Sequence, residues 1–313
     1  MTAVGDVRRR RIDELAARAG QVPEGEGGVS LTRSAFRRLR RDPIAIIGAV
    51  IVVLFLLVAV LAPWLAPKDP LAQSLLSEIR PNYIPGSQEG YPLGVDNLGR
   101  DMFSRLIWGS RQSLLIGVVS TVLGVVVGMA LGVLAGAFGG RVDTVVMRFV
   151  DIMLSIPSLL MAISISVLLG QNQYALMIAI AATQVPIFAR LLRGSMLGQR
   201  ASDYVVAAQA LGVKRSRIVF GHVLPNSLSP VIVQGTLSLA TAIIEAAALS
   251  FLGLGDPDLA RPEWGAMLAN AQNFLSIRPE LAVYPALCII VVALGFTLLG
   301  ESLREALDPK FRR

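Results

Sequence analysis

Side chains able to do chemistry are few in this 313-residue sequence, and they stand apart from one another. The one histidine, His222, excludes a histidine metal cluster. The one cysteine, Cys288, excludes a disulfide framework or a cysteine metal site and reads as a small packing residue. No Gly-x-x-x-x-Gly-Lys-[Ser/Thr] loop occurs, so nucleotide phosphates would find neither the backbone cradle nor the lysine they need. No Ser/His or paired-Asp arrangement lies within the apolar runs. The expectation is a chain without catalytic residues, metal site or cofactor of its own.

Two carboxylates, Asp151 and Glu245, do stand at or within apolar runs. A charge at the centre of a bilayer costs at least about 2.5 kcal/mol, so both are expected to face protein or water. Asp151 follows Arg148 by three residues and reads as half of an ion pair on one helix face. Glu245 has no cation near it in sequence, which leaves a structural role and a place on a solute pathway both open. A third group, Gly94, Asp96, Gly99, Arg100, Asp101, Ser104 and Arg105, precedes an apolar run. There Asp101 or Ser104 suits the N-cap of a short helix, while Arg100, Arg105 and Arg111 are expected to reach lipid headgroups, with Trp108 at the interface. The stretch 256–280, with Trp264 and several prolines, carries the same expectation of anchoring.

The elements that must position these groups are made for lipid. The sequence is 54% hydrophobic and 16% charged, whereas soluble chains carry about a quarter charged residues. The net charge of +7 is scattered between apolar runs rather than gathered in one patch, which excludes a nucleic-acid partner. Residues 44–62 form an uncharged run of span length, with Asp42 as N-cap and Pro43 at the first helical position. The long, mostly polar stretch before it marks an uncleaved anchor. Residues 112–140 supply a second span, in which Gly124, Gly128, Gly132 and Gly136 repeat every four residues and offer a face for close helix approach. Residues 152–189 carry no charge over about 57 Å of helix and are broken by Gly-Gln-Asn-Gln at 170–173, so they read as two spans and a tight turn. A fifth span is expected at 230–252 and a sixth at 281–302. The fold class is therefore an all-α, polytopic membrane protein of six helices, since lipid tolerates no unsatisfied backbone.

Of the 29 Lys and Arg residues, 22 fall in the segments that share a side with the N-terminus. The positive-inside rule then puts both termini in the cytoplasm. This divides the chain into a basic tail (1–43), a transmembrane domain (44–305) with outer loops near 63–111 and 254–280, and a short C-terminal tail (306–313). The N-terminal tail holds an amphipathic helix candidate at 7–20 and a flexible Gly/Glu-rich linker, suited to fixing topology and touching anionic lipid.

The polar loop 202–226 faces the same side. Ser202 or Asp203 suits the N-cap of a helix through Tyr204, Val205, Ala207, Ala208 and Leu211, which Gly212 ends in a left-handed conformation. A second helix is expected from Ser216 to His222, where a partial positive charge suits the helix end, with Pro225 as its stop. Helices this short are unstable alone. The face of Tyr204, Val205, Ala208 and Leu211 is small enough to enter a groove on a partner protein.

With these residues in view, YVVAAQALGVKRSRIVFGHVLPN resembles the EAA loop of permease subunits of bacterial ATP-binding-cassette (ABC) importers. Ala207 and Ala208 match the paired alanines, Gly212 the glycine and Leu224, Pro225 and Asn226 the ending, while Val206 stands where the family usually has its glutamate. GVDNLGRDMFSRLIWGSRQSLLIG, LSFLGLGDPDLARPEWGAML and ESLREALDPKFRR are similar to further signatures of the C-type subunit of dipeptide, oligopeptide and nickel importers. The resemblance implies a type I importer permease fold in the bacterial cytoplasmic membrane, with loop 202–226 as a coupling helix docked on a separate ATPase subunit. It also implies a homologous second permease, a solute-binding protein on the outer side approached by the Gly94 to Arg105 segment, and ATP and Mg held only by the ATPases. Its cargo would be a di- or oligopeptide, with nickel or another small solute as the alternative. From the residues alone, an ion-coupled secondary transporter is the rival, and against it stand the lack of an internal repeat and the paucity of buried carboxylates.

Overall fold

The computed structural model describes residues 36–258 and 261–307; the expected helix at 7–20, its linker and the end of the C-terminal tail lie outside them. The described residues are helical, without a named strand, and five helices are long and apolar enough to span a membrane. These are α1 (Pro43–Val60), α2 (Met102–Phe138), α5 (Gln173–Arg200), α7 (Ser229–Phe251) and α9 (Glu280–Leu307). A sixth passage is a bent pair, α3 (Gly140–Ser155) and α4 (Ser158–Leu169), whose axes meet at 95°. Two short helices flank α7: α6 (Asp203–Ala210) before it and α8 (Trp264–Ala271) after it.

Local chemistry explains most ends. Asp42 accepts from the Ile44 amide with Pro43 in the first turn, as its sequence foretells. The turn at 170–173 also forms: Gly170 ends α4 at φ 89° and the Asn172 side chain caps α5. Two boundaries differ from the hydropathy reading. Helix α2 begins ten residues before the expected 112, because Asp101 caps it there and the charged first turns are sheltered by protein instead of lipid. The run after 140 is also not a straight span. Pro157 breaks it, leaving Ile156 extended, and α3 includes charged residues on the far side of the break.

The glycine ladder of α2 packs on α5. A Cβ on Gly128 would lie 2.6 Å from the Val185 carbonyl oxygen, and one on Gly132 2.8 Å from that of Ala189. Gly124 and Gly136 meet Gln184 and Met196 in the same way. At Gly128 and Gly132, where backbone is on the receiving side, only hydrogen lets the two backbones come so close. Around this pair, α7 and α9 pack together, α1 leans on α9, and Cys288 packs against the resulting apolar cluster as a half-buried thiol.

Candidate functional site: the loop 203–226, the Asp96 knot and Glu245

The loop that joins α5 to α7 opens with α6, behind Ser202, and closes that helix with Gly212 at φ 75°. Its second helical piece starts at Arg215 and passes through Pro225 to Asn226, so the expected stop at His222 is not there. The reason is a π-turn: the Leu224 amide donates to Val219, five residues back, and the wider turn admits a proline that has no N–H to give. His222 accordingly sits inside the winding rather than at a helix end, exposed and edge-on to the Tyr204 ring at 6.5 Å between centroids.

The expected docking face is split. Val205 turns inward, 1% exposed, into a cluster with Ile218, Val219 and Val223, and Ala208 packs against the same cluster. Tyr204, Val206, Ala207, Leu211 and Gly212 point outward, with Leu211 83% exposed. Val205 and Ala208 therefore anchor the helix, and its outer side is free and apolar. Two guanidiniums tie the loop to the core: Arg200 and Arg215 both donate to the Ala137 carbonyl at the end of α2. Cations there suit the negative end of the helix dipole.

At the other end of the bundle, the residues around Asp96 form a knot. Asp96 accepts from the Leu98 and Arg100 amides and from the Arg100 guanidinium at 2.7 Å, and Arg105 lies 3.3 Å from the same carboxylate. Arg100 and Arg105 are each 3% exposed, so they do not reach headgroups; the expectation fails because the Asp96 carboxylate pairs with both inside the protein and the Pro70 carbonyl accepts from Arg105, whose Nε has no hydrogen-bond partner. Asp101 caps α2 by accepting from the Ser104 amide, and the Ser104 hydroxyl accepts from the Lys68 backbone amide. Gly94 and Gly99 hold left-handed conformations against backbone that a side chain would strike. Arg111 is exposed and lies over Trp108.

Trp264 is likewise not interfacial. It is fully buried, donates from its indole to the Leu106 carbonyl, and stacks edge-on with Phe55. Beside it is a residue the sequence did not single out, Glu263. Its carboxylate caps α8 by accepting from the Gly265 and Ala266 amides and accepts from Ser113. Burial pushes its pKa above the ordinary carboxylate value, against the pull of those donors. Only its place before the Trp-Gly start of α8 hinted at a cap.

Between the two ends lie the intramembrane carboxylates. Asp151 pairs with Arg190 of α5, not with Arg148, and Asp143 pairs with Arg193. These bonds cross from α3 to α5 because the bend brings α3 alongside. Glu245 is half-buried, with the Thr183 hydroxyl at 3.2 Å, a hydroxyl that also reaches the Ile180 carbonyl at 2.7 Å. Among the described residues no group of three or more metal-ligating side chains comes together.

Residues 128–313 match the family of binding-protein-dependent transport system inner membrane components, and residues 30–85 match the N-terminal TM domain of oligopeptide transport permease C. The chain belongs to this family of transport permeases. It is 42% identical over 285 residues to the dipeptide transport system permease protein DppC of Alkalihalophilus pseudofirmus, covering 91% of each chain. To the probable D,D-dipeptide transport system permease protein DdpC of Escherichia coli it is 41% identical, over 87% of this chain and 89% of that one. To the glutathione transport system permease protein GsiD of Pectobacterium atrosepticum it is 39% identical, over 90% and 91%. Among solved structures, a chain of the inward-facing MetNI methionine ABC transporter superposes with a TM-score of 0.54 at 19% identity, covering 66% of this chain and 98% of that one. That likeness shows the type I permease fold, and the family makes the chain the inner-membrane component of a transport system.

Proposed function

We propose that the chain forms half of the translocation pathway of a peptide importer, with ATP hydrolysed by separate subunits docked on its cytoplasmic loop. The observation that carries this reading is the near full-length similarity to permeases named for dipeptides, D,D-dipeptides and glutathione. Those solutes share a short backbone with an ammonium and a carboxylate. A second permease and an external solute-binding protein complete the assembly in this reading, and the Lys/Arg bias toward loop 203–226 supports a cytoplasmic position for that loop and both termini.

Docking is assigned to the outward side of α6, where Val206, Ala207 and Leu211 present an apolar ridge. With Val206 at the position of the usual glutamate, shape and burial, rather than an ion pair, hold the ATPase there. The two arginine bonds to the Ala137 carbonyl then carry movement of the loop into α2. Leu211→Asp tests the docking: the permease pair should still assemble, and the ATPase should no longer co-purify with it. Retention of the ATPase at the unaltered level contradicts the assignment.

A further inference from the structure

Glu245 presents a charge that the described protein does not neutralise. It lies in α7, two turns from the Phe251 end, and meets Thr183, ten residues inside α5, so it sits about 10–15 Å from the outer helix ends. The polar groups beside it are the Thr183 hydroxyl at 3.2 Å, which also reaches the Ile180 carbonyl, and Ser158 at the start of α4; neither brings a net charge. No Lys, Arg or His among the described residues forms an ion pair with it. Along α5 the next charge after Thr183 is Arg190, which pairs with Asp151. Arg190 lies seven residues beyond Thr183, on the same side of α5 and about 10 Å further along, and the two paired charges neutralise each other. A half-exposed carboxylate at this depth faces protein or water, not lipid. The side of the molecule where α4, α5 and α7 meet is therefore an inward-looking one, and its free charge is negative.

We propose that Glu245 receives the α-ammonium of a short peptide in transit. This rests on the peptide-importer reading and adds a recognition group to it. The chemistry favours an ammonium because the site offers a negative charge, beside the Thr183 hydroxyl and partly buried, where charge-assisted hydrogen bonds are strong. The carboxylate would select peptides with a free amino end over blocked ones after their release from the binding protein.

The test uses the whole transporter, with its second permease, ATPases and binding protein, in proteoliposomes, with Ala-Phe and N-acetyl-Ala-Phe as probes. Glu245→Gln should lower Ala-Phe uptake about tenfold or more, the loss of one charge-assisted bond, while assembly and basal ATP hydrolysis persist. Glu245→Asp should restore part of the uptake, and the preference for Ala-Phe over the acetylated peptide should collapse in Glu245→Gln alone. Unchanged uptake and preference in Glu245→Gln overturn the assignment. So does dissociation of the two permeases in that variant, which would make the carboxylate an intersubunit contact. If the unaltered complex takes up neither peptide, the importer reading itself falls, and this assignment with it.

Discussion

Asp96 holds two guanidiniums that are each 3% exposed, so its removal should be among the costliest single changes in the protein. Leaving charges buried without their partner costs about 3–5 kcal/mol. Asp96→Ala should accordingly abolish or sharply lower the yield of folded protein in mild detergent, as read by size-exclusion chromatography. Glu263 behaves differently because its burial opposes its charge. Its folded pKa lies above the unfolded value, so its contribution to stability is complete below the unfolded pKa and lost as pH rises through the folded one. Glu263→Gln keeps an acceptor for the cap and loses the titration. Melting in detergent at rising pH should therefore decline less for Glu263→Gln than for the unaltered protein, whereas Glu263→Ala should lose about 1–2 kcal/mol at every pH with the cap. The sequence exposed the composition of the Asp96 knot but not its burial: Arg100 and Arg105 look like interfacial anchors until the loop folds Pro70 and Asp96 over them.

At the scale of elements, α2 and α5 are held at a distance set by four glycines. Gly128→Ala would push a methyl into the Val185 carbonyl, with backbone on the receiving side and nothing flexible to move aside. Overpacking of this kind costs about 1–3 kcal/mol. Gly140 offers a contrast, since its φ of 54° is unusual but a Cβ there meets nothing within 4 Å. Gly140→Ala should cost about 1 kcal/mol from backbone strain. Thermal unfolding in detergent should rank Gly128→Ala as the less stable variant; equal stabilities would mean the helices do not pack through this ladder. The ladder and the turn at 170–173 were legible because spacing and turn chemistry are local signals. The start of α2 and the bend at Pro157 were not, because hydropathy reports the solvent of a segment and neither its cap nor its direction. Within loop 203–226 the small helix was legible from Ser202 and Gly212, but which side of it faces out was decided by contacts of Val205 with residues more than ten positions away.

For the whole molecule, the two ends are built for different tasks. One end is a polar knot around Asp96 and Glu263, and the opposite end is a short helix anchored by Val205 with an apolar outward side, tied to α2 through Arg200 and Arg215. A helix held on its inner side and free on its outer one can pass a push from a docked subunit into the bundle. The most direct test is uptake of a labelled dipeptide into proteoliposomes that contain this chain with its second permease and are supplied with binding protein on one side and ATPase and ATP on the other. The account predicts accumulation that needs both ATP and the ATPase and persists when ion gradients are collapsed. Uptake driven by an ion gradient with the ATPase left out would contradict it.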